Sequence, residues 1–99
     1  MQYAASDVNP HDRYKILTAF VLPRPIAWVT TVDRAGVVNA APYSFFNVFS
    51  DDPPLIVLGL QHKPDLNRKD TTRNIDATGE FVINMVDEPL AQAMNDAAA

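Results

Sequence analysis

The 99-residue sequence contains no cysteine. That excludes a disulfide scaffold, a thiolate metal site and a cysteine nucleophile, and it permits a reducing compartment. Histidine is nearly absent too. His11 and His62 stand far apart and in no helical ligand spacing such as HExxH, so a zinc site is not expected. Only three glycines are present, at 36, 59 and 79, and they cannot form a GxGxxG dinucleotide fingerprint. No apolar run approaches the length of a membrane span, the longest being residues 55–60. The first ten residues lack a basic stretch followed by an apolar core, so a secretory signal is not expected. Basic residues are outnumbered, 8 against 12 acidic, for a formal net charge of −4, which disfavours general nucleic-acid binding. Ser6, Ser44 and Ser50 lie in no GxSxG context, so serine hydrolase chemistry has no support either. The expectation is a soluble, cytoplasmic protein without membrane or nucleic-acid partners.

Hydrophobic residues make up 47% of the chain. Thirteen of these are alanine, which leaves 34 larger apolar or aromatic side chains, enough for one core of the size a single domain needs. Asn9 followed by Pro10 is an N-cap ahead of a proline suited to the first helical position, and predicts a helix over about residues 10–19. Tyr14, Leu17 and Phe20 then share a face able to cover the end of a sheet. IAWVTTV at 26–32 reads as a strand, 33–36 as a hairpin turn with Gly36 at positive φ, and 37–41 as the returning strand, ended by Pro42. YSFFNVFS at 43–50 is too interrupted by Ser44, Asn47 and Ser50 for a continuous buried strand. LIVLGL at 55–60 reads as a strand buried on both faces, with Gly59 marking a bulge or a close approach. A helix from near Asp70 to Gly79, a strand over 81–86 and a helical tail after Pro89 complete the order. Adjacent hairpin-like strands with few helices favour a mainly antiparallel sheet or barrel.

Charge is concentrated in one place. Residues 61–74 carry Lys63, Arg68, Lys69 and Arg73 against Asp65 and Asp70, while the rest of the chain has four basic and ten acidic groups. The segment includes KDTTRN at 69–74, at a predicted helix start. There, exposed backbone N–H groups, the helix dipole, the Lys69 charge and the Thr71 and Thr72 hydroxyls would serve a phosphate. The alternative is that Asp70 only caps the helix and the basic groups are solvated surface. The aromatic run YSFFN offers an apolar wall with donors and acceptors for a flat heteroaromatic ligand, or else simply packs the core. Thr30 and Thr31 face opposite sides of their strand, so one of them can turn a hydroxyl toward a site; strand propensity explains either residue alone.

Four segments, PRPIAWVTTVDRAGVVNAAPYSFFN (23–47), DPPLIVLGL (52–60), KDTTRNI (69–75) and TGEFVINMV (78–86), together resemble the flavin reductase-like family with the FMN-binding split barrel, in the family's order and spacing. The resemblance covers most of the chain. It implies a mainly β fold, a closed barrel of antiparallel strands with short helices, binding FMN and working as a homodimer with the flavin near the subunit interface. Residues 1–99 would form a single domain, the N-terminal portion of that barrel, since family members are longer. Carried over by position, Ser44, Phe45 and Asn47 would line the isoalloxazine and ribityl region with Thr31 alongside. Lys69, Asp70, Thr71 and Asn74 would stand at the phosphate end, helped by Arg24. The implied chemistry is hydride transfer from NADH or NADPH to flavin, which needs alignment of two rings and no catalytic side chain. Reduced flavin would pass to a partner monooxygenase or stay bound as an electron carrier. An electron-carrier module and an inactive fragment are the alternatives.

Overall fold

The computed structural model describes residues 2, 4–60 and 70–97, and within them five strands and three α-helices follow the order α1 (Pro10–Phe20), β1 (Ala27–Val32), β2 (Val38–Tyr43), β3 (Phe46–Asp51), β4 (Pro54–Leu58), α2 (Asp70–Thr78), β5 (Val82–Asn84) and α3 (Ala91–Ala97). The strands form two antiparallel sheets, β2-β1-β5 and β3-β4, and the described strands do not close into a barrel. Among the described residues no helix is long and apolar enough to cross a membrane.

Helix α1 starts as the sequence predicts: the Asn9 side chain accepts from the Asp12 amide at 2.9 Å, and Pro10 occupies the first turn, where its missing N–H costs nothing. Its expected apolar face is only partly used. Tyr14 meets Phe45, whereas Phe20 is 82% exposed.

The β1–β2 hairpin is organised by Asp33, whose Oδ1 accepts from the amides of Ala35 and Val37, while Gly36 takes φ +85°. Strand β2 runs through Pro42 to Tyr43 instead of ending before it. The reason lies in the sheet order: among the described residues β2 is an edge strand, where a residue without an N–H forfeits no ladder bond on its open side.

Residues 46–51 do form a strand, contrary to the sequence expectation, and β4 is exposed rather than buried on both faces. Both differences have one cause. The β3–β4 hairpin stands out from the three-stranded sheet, so Asn47 is exposed and needs no buried partner, and Val48, Phe49, Leu55 and Ile56 are all at least half exposed. Only the base of the hairpin, through Phe46 and Leu58, packs on the core. That core consists of Ala27, Val29 and Tyr43, flanked by Ala41, Leu60 and Ile83. β5 is shorter than expected, three residues against six.

Helix α2 (Asp70–Thr78) stops at Gly79, whose φ of +74° and amide hydrogen bond to the Ile75 carbonyl (2.7 Å) end it as the sequence predicts.

Candidate functional site

Two polar constellations lie at opposite ends of β1. At its C-terminal end, Thr31 and Asn39 face each other across the hairpin and meet α2. The Asn74 amide donates to Thr31 Oγ1 at 3.0 Å, and the Asn39 amide donates to Thr71 Oγ1 at 3.1 Å. Thr31, Thr71 and Asn74 are all buried. These two bonds run in opposite directions between helix and hairpin, so they fix α2 in both position and rotation. Each threonine hydroxyl acts here as an acceptor, which leaves its single proton for donation elsewhere. Thr72 Oγ1, in the same first turn, is buried with no partner among the described residues. Asp70 pairs with Arg73 on the exposed side of the helix. The first turn of α2 thus has the dipole and hydroxyl groups that an anion requires. Lys69, and with it the basic residues 63 and 68, lies outside the described residues.

At the N-terminal end of β1 the turn between β2 and β3 carries Ser44 and Phe45, and a groove of about 400 Å³ opens beside it. Its walls are Leu17 and Val21 of the α1 region, Pro23 and Pro25 before β1, and Phe49 and Val57 of the hairpin; Arg24, Ser44 and Asn47 supply the polar groups. Phe45 is held from three sides. The Tyr14 ring lies 6.0 Å away at 46°, the Arg24 guanidinium stands 5.7 Å from the ring centroid, and Gly59 donates its amide to the Phe45 carbonyl at 2.7 Å. A side chain at Gly59 would put its Cβ 2.9 Å from Phe45 Cβ, so glycine is what allows β4 to pass this close. Asn47 Oδ1 accepts from the Val48 amide, so its amide nitrogen remains the donor on offer.

The structure therefore groups Arg24, Ser44, Phe45 and Asn47 at one end, and Thr31, Asp70, Thr71 and Asn74 at the other. Arg24, expected at the phosphate end, makes its contacts with Ser44, Phe45 and the end of α1, and Thr31, expected alongside the ring, contacts Asn74 of α2 instead. Two contributors escaped the sequence reading. Asn39 is paired with Thr31 only once the hairpin register is known, and a turn one residue shorter would have turned it to the other face. Tyr14 reads as part of a generic apolar face, and nothing in its spacing points at Phe45.

Comparison with known proteins adds the following. The family model described as flavin reductase like domain matches residues 19–99. The uncharacterised protein BH2278 of Halalkalibacterium halodurans is 48% identical over 95 residues, 96% of this chain and 46% of that protein. The crystal structure of nitrilotriacetate monooxygenase component B from Bacillus cereus superposes with a TM-score of 0.88 at 43% identity, covering 100% of this chain and 48% of that one. A crystal structure with a split barrel domain from Shewanella frigidimarina gives a TM-score of 0.75 at 20% identity, over 100% of this chain and 49% of that one, a likeness that speaks for the fold alone. The chain spans about half the length of the relatives it matches.

Proposed function

The chain belongs to the flavin reductase-like domain family, with the antiparallel strands of its split-barrel fold, and from that premise we propose that it binds FMN and contributes to hydride transfer from NADH or NADPH to the flavin. The observation that carries this reading is the placement of an aromatic groove and a helix N-terminus at the two ends of one strand. From Ala27 to Thr31 is roughly 13 Å at the usual rise of a strand, which suits a flat ring at one end and a phosphate at the other.

The residues present fit such a group. Phe45 and the apolar walls of the groove would flank the ring system, with Ser44 and Asn47 offering hydrogen bonds to its polar edge. The first turn of α2 would receive the phosphate on backbone N–H groups and on the hydroxyls of Thr71 and Thr72, the latter a buried donor lacking a partner among the described residues. Lys69 would add the neutralising charge. Thr31 and Asn74 hold that turn in place.

Bound flavin supplies two-electron chemistry, with the nicotinamide nucleotide as hydride donor. The protein's own task is to hold, align and desolvate, for which no side-chain acid or base is needed. Operation as a homodimer, and delivery of reduced flavin to a partner monooxygenase, are part of the same proposal. The likeness to the Bacillus cereus protein, a component of nitrilotriacetate monooxygenase, supports that delivery. Anaerobic mixing of the full polypeptide with FMN and NADH or NADPH tests the reading: flavin absorbance falls faster than with free FMN. Binding of FMN without such acceleration would favour an electron carrier, and no binding would remove the proposal.

A further inference from the structure

Arg24 joins the two walls of the groove. Its Nη1 donates to the carbonyls of Thr18 at 3.0 Å and Val21 at 2.7 Å, at the C-terminal end of α1, where helix carbonyls lack intrahelical partners and the dipole favours a cation. Its Nε donates to Ser44 Oγ at 3.3 Å, and the guanidinium lies 5.7 Å from the Phe45 centroid. One planar, part-buried group thus spans from a helix end to the β2–β3 turn, and it is the polar counterpart of the Tyr14 to Phe45 ring contact. Only a fork of fixed N–H directions can make both sets of bonds together.

We infer that Arg24 is a positioning residue for the ring end of the flavin. It sets the Ser44 hydroxyl and the Phe45 ring and acts through them, not on the phosphate. This inference rests on the flavin-binding reading above.

The full polypeptide and its Arg24→Ala and Arg24→Lys variants are titrated with FMN and with riboflavin, which lacks the phosphate, and the visible circular dichroism of the bound flavin is recorded. Arg24→Ala weakens both flavins by the same factor, roughly tenfold or more, and alters the dichroism of the bound ring. Arg24→Lys recovers part of the loss, and added guanidinium recovers part of the binding of Arg24→Ala. A loss confined to FMN would make Arg24 a phosphate contact and overturn the inference, as would unchanged binding of both. Should Arg24→Ala fail to fold, Ser44→Ala decides. It keeps the bonds of Arg24 to α1 and still weakens both flavins equally, and it costs less in the Arg24→Lys background than in the wild type. Unchanged binding in Ser44→Ala would overturn the inference. A wild-type protein that binds neither flavin removes the underlying reading, a result distinct from any pattern among the variants.

Discussion

Replacing Gly59 by alanine tests whether the close passage of β4 sets the β2–β3 turn. The new Cβ would stand 2.9 Å from Phe45 Cβ and 3.4 Å from the Phe45 carbonyl oxygen. Carbon atoms rest at about 3.5–4.0 Å, so the Phe45 Cβ must retreat by about 0.6 Å or more. No rotation of the ring achieves this, because Cβ moves only with the backbone. The backbone is itself anchored by the 2.7 Å bond from the Gly59 amide, and the ring sits between Tyr14 and Arg24. Overpacking of this kind costs about 1–3 kcal/mol. In a domain of this size each kcal/mol lowers the melting temperature by about 4–8 °C. If the turn also carries the flavin ring, affinity for FMN and riboflavin falls together, by roughly 5- to 150-fold for the same energy. Thermal melts and flavin titrations of Gly59→Ala and Gly36→Ala make the comparison. Gly36 has φ +85° and nothing within 4 Å of an added Cβ, so its variant loses about 1–2 kcal/mol of stability through the backbone alone and keeps its flavin affinity. Wild-type stability and affinity in Gly59→Ala, or an equal affinity loss in Gly36→Ala, would refute the reasoning.

Asn74→Ala removes the amide that Thr31 accepts and leaves a buried hydroxyl without it, so thermal unfolding should register a loss of about 1–3 kcal/mol. Adding Thr31→Val should return part of that loss, and strict additivity of the two changes would contradict the pairing. Lys69→Ala should weaken FMN much more than riboflavin in parallel titrations; equal losses would take Lys69 away from the phosphate.

Local rules made the ends of elements legible: Asn9 and Pro10 before α1, Asp33 and Gly36 in the hairpin, and Gly79 after α2 each act within a few residues of themselves. The same locality made Gly59 readable as a point of close approach. What the sequence could not convey was which surfaces meet. The run at 55–60 looks buried because it is apolar, yet burial depends on what lies opposite, and in this structure most of β4 is exposed. Residues 46–51 looked too polar for a strand on the assumption of burial, which the protruding hairpin does not impose. Pro42 reads as a terminator in sequence because the edge position of β2 is a property of the sheet, not of the residue. For the site, residue types sufficed to nominate the first turn of α2 and the Ser44 to Asn47 segment. The contacts of Arg24 with Ser44 and Phe45, of Asn39 with Thr71 and of Tyr14 with Phe45 needed tertiary register.

The central claim is that one strand carries a ring site at one end and a phosphate site at the other. Comparison of FMN with riboflavin in a single titration series of the wild-type polypeptide tests it most directly, with the sole tryptophan, Trp28 of β1, as the fluorescent reporter. The account predicts that both flavins quench Trp28 and that FMN binds more tightly by the phosphate contribution. Equal affinities would contradict the phosphate site at α2, and absence of binding by either flavin would contradict the whole account.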